Sequence, residues 1–265
     1  MSEERLPVFQ SPGCGGVELQ ADPAAILDAC EKIGPLFLLF RNEACIFGSV
    51  ADPLWHLETA NVHLAASGAI TLNLAPRRAC SAFGYIEAGP QGGFIDAVEF
   101  CGPGCAGFLK ICRMDGTDRA GWLGLLADFR VGAVSASRIA GIRKTNHLEP
   151  PALCGCGAPS PAEAVVERFL ECAIQCGASL HVTASAACAR GRLVIRPTHR
   201  VRVGHWTVLS SDSTALHVAP GCVSELRIVT RPHLAQLILL GAGGRCLARI
   251  LTRDRELLSQ LDQIL

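Results

Sequence analysis

The sequence ITLNLAP, residues 70–76, has a close echo in TALHVAP, residues 214–220. In each stretch apolar residues alternate with other residues before an Ala-Pro pair. Alternation with a period of two predicts a strand that is buried on one face. Because one such strand lies in each half of the chain, the pair suggests an internal duplication.

The segments that open the two halves are also alike. In DPAAILDACEKIG, residues 22–34, Asp22 is a good N-cap, a proline follows at the first helical position, and Gly34 ends the helix. In SPAEAVVERFLECAIQCG, residues 160–177, Ser160 caps, a proline follows, Glu163 completes a capping box, and a glycine ends the helix. Each helix precedes an apolar stretch, PLFLLF or ASLHVTA, that predicts a strand.

The correspondence continues to the end of each half. IDAVEFCGPGCAGFLKIC (95–112) and LAQLILLGAGGRCLARIL (234–251) both predict two strands around a glycine-rich turn. The second turn is not a phosphate loop, because the residues after it alternate like a strand and provide no helix N-terminus. Helical stretches follow at 121–129 and 255–265. The predicted fold class is therefore α+β, a tandem structural repeat in which each copy is an antiparallel β-sheet with flanking helices.

These patterns give four predicted segments. Residues 1–20 form an N-terminal tail, residues 21–143 the first repeat and residues 161–265 the second. Between the repeats, residues 144–160 are rich in proline, glycine and serine, which is typical of a linker.

Composition excludes some classes of function. Lys and Arg together number 24, as do Asp and Glu, so there is no basic field of the kind that nucleic-acid or anionic-membrane binding requires. The N-terminal MSEERLPVFQ lacks the apolar stretch of a secretory signal, and no apolar run is long enough to span a membrane. A cytoplasmic location is therefore expected.

Cysteine and histidine give no clear metal or catalytic motif. The chain has 14 Cys, with close pairs at Cys101 and Cys105, Cys154 and Cys156, and Cys172 and Cys176, but without zinc-type spacing. They are interpreted as reduced thiols. Of the histidines, His199 and His205 are assigned to a strand–turn–strand, His217 to a structural or surface position, and His147 to the linker. No catalytic residue is predicted.

The order of these motifs resembles that of haem-utilisation proteins of the HemS/ChuX type. In the second half the matching residues are Gly191, Ile195, Trp206, Val208, Leu209, Leu216, His217 and Pro232. In the first half they are Arg41, Asn42, Glu43, Leu72, Leu74, Gly104 and Lys110, together with the stretch FRVGAVSASRIAG (129–141). The resemblance implies a cytoplasmic two-repeat protein that accepts haem after uptake and delivers it to an oxygenase, with a haem oxygenase or an uptake-system protein as its partner.

The resemblance also implies a site, and this chain departs from it. The axial histidine of the family falls on Ala120, a later arginine on Ala133, a pocket arginine and phenylalanine on Asn73 and Ala75, and a tyrosine on Leu251. The cations that remain are Arg231, where the family has lysine, and Arg249 and Arg253 on or beside the last strand. These three arginines are the predicted contacts to the haem propionates, since guanidinium pairs well with carboxylate.

Three hypotheses follow. The first is a haem-binding trafficking protein whose iron ligand is new, for which CGPGC (101–105), CGCG (154–157) and His147 are candidates. The second is a haem-free module on the same scaffold that binds another ligand or a protein. The third, an enzyme that degrades haem or another tetrapyrrole, is implied only by the resemblance.

Overall fold

The computed structural model describes residues 15–58, 63–75, 81–88, 93–146, 160–186 and 188–261. The chain forms two compact units. Unit 1 comprises residues 1–39, 51–67 and 73–147, and unit 2 comprises residues 40–50, 68–72 and 148–265. No helix within the described ranges is long and apolar enough to cross a membrane.

The described residues contain eighteen strands and five α-helices. The strands are β1 (Gly16–Leu19), β2 (Leu36–Arg41), β3 (Cys45–Ala51), β4 (Trp55–Glu58), β5 (His63–Ser67), β6 (Ile70–Leu74), β7 (Ser81–Ala88), β8 (Phe94–Cys101), β9 (Gly107–Arg113), β10 (Arg130–Val134), β11 (Leu180–Ser185), β12 (Ala189–Ile195), β13 (His199–Val203), β14 (Trp206–Ser210), β15 (Thr214–Val218), β16 (Glu225–Arg231), β17 (Leu234–Leu240) and β18 (Cys246–Thr252). The helices are α1 (Pro23–Cys30), α2 (Arg119–Asp128), α3 (Ala136–Asn146), α4 (Pro161–Gln175) and α5 (Arg255–Ser259).

Unit 1 contains a sheet in the order β10-β1-β7-β8-β9-β2, and its described pairings are antiparallel. Ile139 and Ile142 of α3 pack on one face of this sheet, in a cluster that includes Phe83 and Tyr85 of β7. On the other face, a Cβ added to Gly84 would lie 2.6 Å from a methyl group of Leu126 in α2. Helices therefore cover both faces of this sheet.

Unit 2 contains the strand series β3-β15-β14-β13 and the series β16-β17-β18-β11-β12, which continues into β6. Alternate residues of β11, β12, β17 and β18 are buried, and they include Val182, Leu193, Leu237 and Ile250. The core also contains Phe40 and Phe47, whose rings stack with centroids 5.0 Å apart. Helix α4 buries an apolar stripe made by Val166, Phe169, Leu170 and Ala173.

The predicted helix starts and strand–turn–strand segments are confirmed. Asp22 accepts hydrogen bonds from the amides of Ala24 and Ala25, and Ser160 accepts one from the amide of Glu163. The glycine-rich turns join β8 to β9 and β17 to β18, so GAGGRC lies in a hairpin rather than in a phosphate loop. The α+β class with antiparallel sheets is confirmed.

The two hairpins share one turn geometry. Gly104 has φ +73° and ψ 16°, and Gly243 has φ +72° and ψ 16°. The amide of Gly102 donates to the carbonyl of Ala106, and that of Gly241 donates to Arg245, both at 2.9 Å. Each hairpin also has a register shift just before the turn, between Phe100 and Cys101 and between Leu239 and Leu240. This match supports the predicted duplication.

Some elements were not predicted from the sequence. Strand β1 lies within the segment assigned to the N-terminal tail, and its Val17 is fully buried. Strand β10 and helix α3 follow α2, and α3 extends to Asn146, so the first residues of the predicted linker are helical. The division into segments 1–20, 21–143, 144–160 and 161–265 stays a prediction.

Candidate functional site

The polar face of the sheet in unit 2 is rich in arginine. Since side chains alternate between the faces of a strand, the residues opposite the buried set share this face. Five arginines lie on it, and we call it the arginine face: Arg190, Arg192, Arg227, Arg231 and Arg249. All five side chains are exposed.

The strand register places one of these arginines on each side of a threonine. Thr183 of β11 pairs with Arg192 on β12 and with Arg249 on β18. Because neighbouring strands are about 4.8 Å apart, the Cα atoms of the two arginines are about 10 Å apart. The same row continues through Ile238 to Arg227, which forms an ion pair with Glu225 at 2.6 Å.

The next row along the same face is mostly uncharged. His181 of β11 pairs with Val194 on one side and with Leu251 on the other. Leu251 in turn pairs with Gln236, and Gln236 with Val229. The face therefore places an apolar and imidazole-bearing row directly beside a row of cations.

A cavity of about 250 Å³ opens on this face. Its lining consists of His181, Thr183, Ser185, Arg190, Arg192, Gln236, Cys246, Leu247, Arg249 and Leu251. In the part of the chain that the structure describes, no carboxylate forms an ion pair with Arg190, Arg192 or Arg249. Such uncompensated cations attract anions.

The corresponding face in unit 1 is closed. Lys110 lies six residues after Gly104, as Arg249 lies six residues after Gly243. Lys110 is buried and forms an ion pair with Glu87, and its Nζ lies 5.4 Å from the ring centroid of Tyr85. The Tyr85 hydroxyl donates to Glu99 Oε2 at 2.5 Å, and α3 packs on this face. In unit 1, therefore, acidic side chains neutralise the cation and a helix covers the face. In unit 2 the corresponding face is exposed.

The structure separates the three predicted propionate contacts. Arg249 is in the centre of the sheet and lines the cavity. Arg231 is on the same face but on β16, where it pairs with Leu234, four positions along β17 from the partner of Arg249. Arg253 is exposed and follows the end of β18. Neither Arg231 nor Arg253 lines the cavity.

The positions at which the chain departs from the HemS/ChuX pattern lie in different elements. Ala120 is an exposed residue in the first turn of α2, and its amide donates to the N-cap Asp118. Ala133 is exposed on β10, and Asn73 and Ala75 are half-buried in or just after β6. Leu251 lines the cavity.

The proposed replacement iron ligands can be placed only in part. Cys101 is fully buried in the core of unit 1, so its sulfur cannot meet a ligand at the surface, and this candidate is withdrawn. The side chain of Cys105 and the residues Cys154, Cys156 and His147 lie outside the described part of the chain. Within the described ranges, no group of three or more His, Cys, Asp or Glu side chains could hold a metal ion.

Two of the histidines in the β13–β14–β15 region lie beside a tryptophan. His199 is on β13, His205 is in the turn before β14, and His217 is on β15, in accord with the sequence analysis. The Trp206 ring is 4.9 Å from that of His205 and 6.4 Å from that of His217, between centroids. Burial lowers the pKa of both His205 and His217, which favours the neutral form of each imidazole.

Of the ten residues that line the cavity, sequence reasoning named only Arg249 and Leu251, and the residues it missed include His181, Arg190, Arg192 and Cys246. The alternation of β11 was visible in the sequence, because Leu180, Val182 and Ala184 are apolar and the residues between them, His181 and Thr183, are polar. This pattern identifies an outward face but does not say whether a helix covers it. That information comes only from the packing.

Comparison with solved structures gives the same architecture. The haem-degrading enzyme ChuS of Escherichia coli O157:H7 has a TM-score of 0.73 at 18% identity, over 94% of this chain and 86% of its own. Holo-PhuS, a haem-binding protein from Pseudomonas aeruginosa, has a TM-score of 0.72 at 16% identity, with the same two coverages.

The chain has the fold of ChuS and PhuS. A second structure of ChuS, described as an E. coli haem oxygenase, has a TM-score of 0.70 at 17% identity over 95% of this chain and 89% of its own. No family model and no curated protein matches the sequence. The ChuS fold agrees with the resemblance drawn from the order of motifs.

Proposed function

We propose that this protein binds haem on the arginine face of unit 2 and passes it on as part of cytoplasmic haem utilisation. The observation that carries the proposal is the cavity in which Arg192 and Arg249 flank Thr183 without acidic partners among the described residues. Haem presents two carboxylates at one edge of a large apolar ring, and the rows of this face offer cations beside apolar side chains.

The residues present fit this ligand by chemistry. Arg192 and Arg249 can each form a charge-assisted pair with a carboxylate, and Arg190 adds a third cation to the cavity wall. Val194 and Leu251 offer apolar contact to the ring. Because ligand pockets usually have volumes of about 300–1,000 Å³, a cavity of about 250 Å³ would hold part of the ring, and the rest would lie over the exposed face.

The fold supports this proposal. PhuS is described as haem-binding, and ChuS as haem-degrading and as a haem oxygenase. We propose binding and transfer for this chain because the face supplies contacts for the carboxylates and the ring. The partner in transfer would be a haem oxygenase or an uptake-system protein.

Arg231 and Arg253 have a secondary place in the proposal. Since both lie outside the cavity, we expect them to help by attracting the anionic ligand or by contacting a carboxylate that extends over the face. Arg231→Ala should therefore weaken binding less than Arg249→Ala does.

The test is a haemin titration of the reduced protein, followed at the Soret band. We expect saturation at one haemin per chain, and at least a tenfold higher Kd in the double variant Arg192→Ala/Arg249→Ala, equivalent to about 1.4 kcal/mol. Arg168→Ala is the matched control, because Arg168 is an exposed arginine on α4. It should bind haemin as the unaltered protein does.

A flat titration would overturn the proposal. It would favour the haem-free module on the same scaffold, with the exposed cations serving another anionic ligand or a protein. Saturable binding that is equally strong in the double variant would place the haem elsewhere on the chain and would equally contradict the assignment of this face.

A further inference from the structure

The cavity on the arginine face contains two side chains that can ligate iron. Among the ten residues that line it, only His181 and Cys246 carry an imidazole or a thiol. The others are threonine, serine, glutamine, leucine and arginine, which do not serve as axial ligands. The methyl side chain of Ala120, where the resemblance placed the axial histidine, cannot ligate iron.

His181 lines this cavity from the strand in the middle of its wall. It lies on β11, between β12 and β18, with Val194 and Leu251 as its cross-strand neighbours. Thr183, with its flanking pair Arg192 and Arg249, is two residues further along the same strand. Residues two apart on a strand are separated by about 7 Å. The imidazole of His181 is therefore one row away from the two guanidinium groups.

The imidazole of His181 is available. Its side chain is exposed, and no hydrogen bond or ion pair holds it within the described part of the chain. Cys246 is half-buried at the start of β18, and its Sγ approaches the carbonyl oxygen of Ala248 at 3.9 Å. It is therefore less free, and it lies at the opposite end of β18 from Leu251, so the row that contains Thr183 and Arg249 separates it from His181.

Unit 1 has a different residue at the corresponding strand position. Phe37 is the second residue of β2, as His181 is the second residue of β11, and both precede a buried leucine or valine. Phe37 packs against the core cluster of unit 1, beneath the face that α3 covers. Of these two corresponding strand positions, the exposed one in unit 2 carries histidine and the packed one in unit 1 carries phenylalanine.

We infer that His181 is the axial iron ligand of haem bound on the arginine face. The inference rests on the proposed function, since it requires that haem occupies this face. An imidazole nitrogen of His181 would ligate the iron, as in many haem proteins, and the guanidinium groups of Arg192 and Arg249 would hold the carboxylates.

The experiment compares haemin complexes of the unaltered protein, His181→Gly and His199→Gly. His199 is the matched control, because it is an exposed histidine of unit 2 on β13 and does not line the cavity. We expect His181→Gly to shift the Soret maximum and the ferric electron paramagnetic resonance signal, and to raise the Kd at least tenfold. Added imidazole should restore the original spectrum, while His199→Gly should leave it unchanged.

The possible failures are distinguishable. If the unaltered protein binds haemin and His181→Gly keeps the same spectrum, the inference fails while the proposed function stands. If Cys246→Ala rather than His181→Gly alters the spectrum, the ligand is the thiolate and the inference is likewise overturned. If the unaltered protein binds no haemin, the proposed function itself fails. Circular dichroism of each variant is the control that its fold is retained.

Discussion

Gly191 shows how closely single residues of unit 2 are packed. A Cβ at this position on β12 would lie 2.5 Å from Cζ of Phe47 and 2.8 Å from Cγ of Phe40. These two rings stack on each other and are fully buried, so neither can move without opening the core. Gly191 therefore allows the arginine-bearing strand to lie directly on the aromatic pair.

Replacing this glycine should destabilise the protein. We expect Gly191→Ala to lower the free energy of unfolding by about 1–3 kcal/mol, the usual cost of overpacking a core, as measured by chemical denaturation. Gly124→Ala is the matched control, because Gly124 is in α2 and a Cβ there would meet nothing within 4 Å. It should raise stability by about 0.5–1 kcal/mol, since alanine is the better helix former. Equal stability of the two variants would contradict the packing described for Gly191.

At the scale of the elements, local signals predict much of the fold. The caps Asp22 and Ser160 and the turn glycines Gly104 and Gly243 act through their own neighbours, so their consequences are visible in the sequence. Strand β1 was missed because it is four residues long and its partners β7 and β10 are distant in the chain. Its alternation is too short to stand out without them.

The site was less predictable for a related reason. Arg249 was found through the resemblance, but Arg192 and His181 are ordinary outward residues of alternating strands. Whether such residues bind a ligand depends on what packs above them, and in unit 1 the comparable Lys110 is covered and paired with Glu87. Only the tertiary structure separates an exposed face from a covered one.

Strands β14 and β15 carry a pH-dependent element of stability. Burial lowers the pKa of His217 below its ordinary value of 6.5. The unfolded chain therefore binds a proton at a higher pH than the folded chain does, so the contribution of this group is fully present above about pH 6.5 and declines as the pH falls.

We expect His217→Gln to reduce the acid sensitivity of folding. Between pH 7.5 and about pH 5, the free energy of unfolding should fall less in this variant than in the unaltered protein, because one proton-linked group has been removed. Denaturation curves at several pH values measure the difference, with His199→Gln as the control on exposed β13. If the free energy of unfolding of His217→Gln fell as steeply with decreasing pH as that of the unaltered protein, the assignment of this pH dependence to His217 would be refuted.

At the scale of the whole molecule, the charges balance but are not mixed evenly. The chain has 24 basic and 24 acidic residues, yet five arginines share one face of the sheet in unit 2. In the described residues only Arg227 of these five has an ion-pair partner. The arrangement suits a small anionic ligand better than a long polyanion, which would need a broad basic field.

The central claim is that paired guanidinium groups on this face bind the carboxylates of haem. Titration of the unaltered protein with haemin and, in parallel, with haemin dimethyl ester tests it most directly, because the ester keeps the iron and the ring and removes both negative charges. We predict saturation at one haemin per chain and a Kd at least tenfold higher for the ester, about 1.4 kcal/mol. No saturable binding of haemin, or equal affinity for haemin and its ester, would contradict the account.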